Sequence, residues 1–85
     1  MRLDKFLKVS RLIKRRTLAK EVTDQGRVKV NDNIAKASTT VKEGDTITIR
    51  YGQKQITIQV LGIKETSKKG EASEMYKILN EESIG

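Results

Sequence analysis

Two alternating runs in the second half of the chain constrain the fold more than any other feature. Residues 46–51 read T-I-T-I-R-Y and residues 55–61 read Q-I-T-I-Q-V-L. A period of two places Ile47 and Ile49 on one face of the first run, and Ile56, Ile58 and Val60 on one face of the second. Gly52-Gln53-Lys54 lies between them with turn chemistry, so the pair predicts a β-hairpin with one aliphatic face. Phe6, Tyr51 and Tyr76 are the only aromatic residues, and 35% of the 85 residues are hydrophobic. A chain of this size builds one small domain with a thin core.

The N-terminal third has the other period. Leu3, Phe6, Leu7 and Ser10 follow i, i+3, i+4, i+7 and predict a short amphipathic helix over residues 3–9. A second helix is expected from Thr17, whose hydroxyl would cap it, with Leu18, Ala19 and Val22 as its buried stripe and Gly26 as its left-handed stop. Leu12 and Ile13 fall between the helices and would pack under the turn. Residues 27–30 alternate as a strand, Asn31-Asp32-Asn33 is a turn, Ile34-Ala35 a short returning strand, and Glu43-Gly44-Asp45 another turn. Residues 64–70 read as a loop. Ala72, Met75, Tyr76 and Leu79 return to helical spacing, which predicts a short helix over 71–80, with a terminal strand as the competing reading. The domain proper is expected over 1–64, with 65–85 as a loop and extension of the same domain. The fold class is α+β.

The charge is one-sided. Residues 1–30 hold ten basic side chains and three acids, whereas residues 31–85 hold eight of each, so the whole net charge of +7 belongs to the first third. A polyanion relieves the self-repulsion of such a block, and nucleic acid is the leading partner because its phosphates release counterions when neutralised. The bland alternative is a solvated basic face. Cysteine and histidine are absent, which excludes a disulfide, a Cys/His zinc site, a cysteine nucleophile and a histidine base. Neither a Ser-His-Asp set nor a glycine-rich phosphate cradle is present, so no enzyme activity is expected and no cofactor is implied. No apolar run approaches the roughly 20 residues of a membrane span, and residues 1–10 lack a signal-peptide stretch. A cytoplasmic protein with no membrane association is the expectation.

The run M-R-L-D-K-F-L-K-V-S-R-L-I-K-R-R-T-L-A-K-E-V, followed by Q-G-R-V-K-V-N-D and V-K-E-G-D-T-I-T-I, resembles the αL RNA-binding motif of the S-four-type domain. The likeness covers residues 1 to about 50. It keeps several separated motifs in order, with Asp32 standing where many members have glycine. It implies two short N-terminal helices packed on a small, mainly antiparallel sheet. The segment K-K-G-E-A-S-E-M-Y-K is similar to the corresponding region of the bacterial heat-shock protein of about fifteen kilodaltons. The whole chain looks most like the short ribosome quality-control factors of the RqcP (YabO) family. That resemblance implies a large ribosomal subunit bearing peptidyl-tRNA, its rRNA and the factor RqcH as partners, in alanine tailing of stalled chains.

The resemblance and the charge together single out Arg2, Asp4, Lys5, Lys8, Arg11, Lys14, Arg15, Arg16, Lys20, Arg27, Lys29 and Asn31 as RNA-binding residues. The two helices and their turn would form one basic ridge, which Arg27, Lys29 and Asn31 extend. Lys14, Arg15 and Arg16 precede the second helix, whose N-terminal dipole adds to their charge. An arginine fork can hold a phosphate by two hydrogen bonds, whereas lysines act as point charges. Asp4 either orients Arg2 or Arg16, or only caps the first helix. Phe6 is read as core, and with so few rings, RNA shape and phosphate position outweigh base stacking. A general structured-RNA chaperone or assembly factor is the second reading, and a small helix-turn-helix DNA regulator the third. The chain is expected to act as a monomer. Neutralising about four to six phosphates gives log affinity against log salt a slope on the order of −3 to −5. A salt titration of RNA binding checks it, and a flat response removes the electrostatic basis of all three readings.

Overall fold

The computed structural model describes residues 1–63 and 74–83. Two helices, α1 (Leu3–Val9) and α2 (Arg16–Asp24), precede five strands: β1 (Val28–Val30), β2 (Asn33–Ile34), β3 (Thr46–Tyr51), β4 (Lys54–Val60) and β5 (Tyr76–Ser83). The strands form one antiparallel sheet in the order β2-β1-β3-β4-β5. The expected hairpin is β3–β4, closed by the two-residue turn Gly52-Gln53 between the paired Tyr51 and Lys54.

Alternation separates the two sides of the sheet. Val28, Val30, Ile47, Ile49, Ile58 and Val60 are buried, and they join Leu3, Phe6 and Leu7 of α1, Ile13 of the turn and Ala19 of α2 in one core. The intervening Lys29 and Arg50 are exposed. Phe6 is fully buried, as its position in the stripe requires, and Ser10 fills the small position at the end of that stripe. Leu18 is not part of the core, with 47% of its surface exposed. Thr23 takes a buried place on α2 instead, its hydroxyl donating to the carbonyls of Ala19 and Lys20.

Both helix starts differ from simple capping. α1 begins without a side-chain cap. The N–H groups of Leu3 and Asp4 donate to the carbonyls of Thr39 and Ala37 at 2.7 and 3.2 Å, and Val41 N–H donates to the Met1 carbonyl at 2.9 Å. Residues 37–41 thus form a strap along the first turn and satisfy donors that a serine or aspartate otherwise would. α2 starts one residue before Thr17, with Arg15 extended at the cap position and no side-chain cap bond. Thr17 lies inside the helix and does not cap it.

The ends of the two helices make a physical contrast. After α2, Gly26 has φ +73°. Gly26 N–H donates to Thr23 and Arg27 N–H to Val22, which is the left-handed glycine stop. The corresponding position after α1 is Arg11, at φ +62°. Asn31 and Asp32 also have positive φ, 52° and 68°. They form the two-residue turn that joins twisted antiparallel strands, and Asp32 adopts the conformation without glycine.

The C-terminal helix expected over 71–80 is corrected from residue 76 onward, where the chain forms β5; residues 64–73 lie outside the described residues. The misleading spacing has a cause. Tyr76 pairs with Val60 and Ile78 with Ile58, but Asn80 pairs with Thr57, so Leu79 is an extra, bulged residue. The bulge breaks the strand period, and the fully buried Met75 lies just before the strand. Met75, Tyr76 and Leu79 therefore mimic helical spacing while belonging to a strand and its entry. Tyr76 packs against the core, whereas Leu79 is half exposed.

Left-handed backbone at a non-glycine residue costs about 1–2 kcal/mol. Arg11→Gly relieves that strain and returns part of it as unfolded-chain entropy, so the variant is expected to gain about 0.5–1 kcal/mol in urea unfolding. A loss of stability would show that the arginine side chain carries a structural contact larger than the strain.

Candidate RNA interface

The strap fixes the first turn of α1, and that fixes Asp4. Its side chain is 5% exposed, while Arg2 and Arg16 beside it are about half exposed, at 53% and 48%. Arg2 donates from Nε to Oδ1 at 3.2 Å and from Nη2 to Oδ2 at 3.4 Å, and Arg16 donates from Nε to Oδ2 at 3.3 Å. The Lys5 N–H adds a bond to Oδ1 at 2.8 Å. Burial by itself would raise the pKa of this carboxyl. The hydrogen bonds from Arg16 and the Lys5 N–H, with the charges of Arg16 and Arg2, outweigh it and hold the group below the ordinary aspartate value. Asp4 thus does both things the sequence left open: it binds a donor of its own helix and orients two arginines.

That carboxylate ties the start of α1 to the start of α2. Lys20 is one turn beyond Arg16, on the same side of α2. Arg2 and Lys20 line a groove of about 430 Å³ together with Lys36, over Ile34, Ala35 and Ala37. Lys36 was not legible as a site residue, because residues 36–40 carry no period that would place them. Lys8, Arg11, Lys14 and Arg15 are exposed on α1 and on the turn into α2, and Lys5 is half-buried. The N-terminus of α2 opens between Arg15 and Arg16 without a side-chain cap, so its dipole and main-chain donors are available to an anion.

The remaining predicted residues are placed elsewhere. Asn31 is engaged within the fold: its Nδ2 donates to Asp45 Oδ1 at 3.1 Å and its Oδ1 accepts from Thr46 N–H at 3.0 Å. The buried Asp45 also accepts from Lys42 N–H at 3.0 Å. Asn31 therefore clamps the β1–β2 turn to the start of β3. Arg27 and Lys29 do not extend the helical ridge. Lys29 alternates with the buried Val28 and Val30, and both cations line a second groove on the outer side of the sheet with Arg50. Arg50 was missed, although its parity opposite Ile47 and Ile49 already pointed it outward.

Comparison with known proteins agrees with the fold. The S4 domain family matches residues 1–47, the segment that contains both helices, the strap and the start of the hairpin. The chain belongs to the S4 domain family. Over its full length it is 67% identical to the RQC P-site tRNA stabilizing factor of Bacillus subtilis (strain 168), covering 99% of that protein. It is 64% identical to the protein of the same name from Halalkalibacterium halodurans, over 99% of this chain and 96% of the other. Among solved structures, the trimeric Vibrio cholerae heat shock protein 15 superposes with a TM-score of 0.85 at 35% identity, over 92% of this chain and 80% of that one. Arg2, Asp4 and Arg16 all lie within the matched residues 1–47.

A carboxyl whose folded pKa is depressed contributes stability that is present above its unfolded value, about 3.9, and is lost as pH falls through the lower folded value. Acid titration of the wild type is therefore expected to show a loss of stability below about pH 4 that Asp4→Asn lacks, with the variant less stable at neutral pH. Parallel acid profiles for the two proteins would contradict the tie.

Proposed function

We propose that this chain is a non-catalytic RNA-binding factor of ribosome quality control. In this reading it binds large ribosomal subunits that carry peptidyl-tRNA, contacts the tRNA and large-subunit rRNA, and supports RqcH-dependent alanine tailing of the stalled chain. The observation that carries the reading is the Arg2–Asp4–Arg16 cluster beside the open start of α2. Two half-exposed guanidinium groups are held in fixed relation by one buried carboxylate, with nearby main-chain donors. That arrangement suits a phosphodiester backbone, because the guanidinium N–H groups not spent on Asp4 stay half exposed beside the main-chain donors of the helix start. Full-length similarity to proteins named RQC P-site tRNA stabilizing factor supports the choice of tRNA as the partner.

The mechanism is retention. Ordered arginines lose little freedom when they meet phosphate, so more of the contact energy appears as slower dissociation of the tRNA. The chain would hold the tRNA while RqcH leaves and returns with the next alanyl-tRNA. It acts as a monomer in the cytoplasm in this scheme, and no helix among the described residues is long and apolar enough to cross a membrane.

Arg16→Ala is expected to weaken binding to tRNA-bearing large subunits roughly tenfold to a hundredfold and to make the salt slope about one unit shallower. Alanine tails shorten while the circular dichroism spectrum is unchanged. Sedimentation with purified subunits and gel analysis of tailed peptide measure both. Unaltered binding and tailing would remove Arg16 from the site, and enrichment of precursor rRNA in place of peptidyl-tRNA would favour an assembly factor.

A further inference from the structure

The sheet turns a second cationic surface away from the helices. Lys29 pairs with Thr48, and Thr48 with Thr57, so the three form one row across β1, β3 and β4. Arg50 and Gln55 form the next such row. Arg50 N–H donates to the Arg27 carbonyl at 2.9 Å, which sets the two arginines side by side. Together these residues line a groove of about 300 Å³, with Asp32 as its acidic member. Three cations face one acid, and none of Arg27, Lys29 and Arg50 forms an ion pair among the described residues.

We propose that this outer face of the sheet binds the backbone of a second RNA segment, so that the protein sits between two RNAs. The inference rests on the RNA-binding reading above and adds a site to it. The lining chemistry selects the ligand. Among the described side chains, none that lines the groove is large and apolar or aromatic, so they offer no platform for base stacking or an acyl chain. Fixed positive charge combined with threonine hydroxyls and a glutamine amide suits phosphate and ribose oxygens. The core separates this face from the first site. Val28, Val30, Ile47, Ile49 and Ile58 occupy the alternate positions and are buried beneath the helices. A duplex docked on α1 and α2 therefore leaves Lys29 and Arg50 uncovered on the far side of the sheet.

The test uses the full chain and short RNA stem-loops, one pool carrying a donor dye and the other an acceptor, at about 50 mM salt. The wild type is expected to bind two stem-loops per chain and to give energy transfer between them, with sedimentation showing one chain per complex. Arg50→Glu should reduce this to one stem-loop and abolish transfer. Lys77→Glu makes the same charge change on β5, outside the groove and opposite Gln59, and should leave both bound. A single stem-loop on the wild type, two on Arg50→Glu, equal losses in both variants, or two chains per complex would each overturn the proposal. Failure of the first site reads differently: Arg16→Ala would then leave binding of both stem-loops unchanged.

Discussion

One buried carboxylate organises the helical side of this domain. Asp4 accepts from its own helix and from two arginines, one two residues before it and the other twelve residues after it. Two guanidinium groups so close would repel and swing apart without it. With it, they are ordered near a helix start before any ligand arrives. The carboxylate loses solvation on burial, and the same arginines supply the compensation. The cluster thus joins a buried carboxylate to two guanidinium groups that stay about half exposed.

The position of that cluster is set from outside the helices. α1 has no capping side chain, and its first donors are met by main-chain carbonyls of residues 37 and 39. The strap in turn leads into β3, whose start is clamped to the β1–β2 turn by Asn31 and Asp45. Polar side chains that a sequence reader assigns to RNA are in part spent on this internal carpentry. Asn31 is the clear case. Arg11 is the opposite case, because its side chain is exposed while its backbone holds a strained left-handed position.

Much of this was legible beforehand, for physical reasons. The hairpin follows from strict alternation, α1 from Leu3, Phe6 and Leu7, and the turns from Gly26, Asn31 and Gly44. The errors arose where one local signal had two solutions. A bulge at Leu79 made a strand resemble a helix, and Thr17 had capping chemistry two residues past the cap position. Arg2 and Asp4 were legible as neighbours through the family likeness and Asp4 with Arg16 only as one of two alternatives, since their geometry depends on a loop more than thirty residues away. The splitting of the cationic third into two surfaces was hidden for another reason. Counting charges along a chain ignores parity, and parity sends Lys29 to the side of the sheet opposite α1 and α2.

The strap has a consequence for how the domain yields under stress. Its grip on α1 consists of a few main-chain hydrogen bonds at residues 1–4 and 37–41, whereas the β3–β4 hairpin is paired along its whole length. Local opening of the weaker seam would free the first turn and scatter its arginines while the hairpin persisted. Amides of Leu3 and Val41 should then exchange with solvent together, earlier than those of Ile47 and Ile58. Such an opening would be a partial disassembly confined to the N-terminal corner, with the rest of the sheet intact.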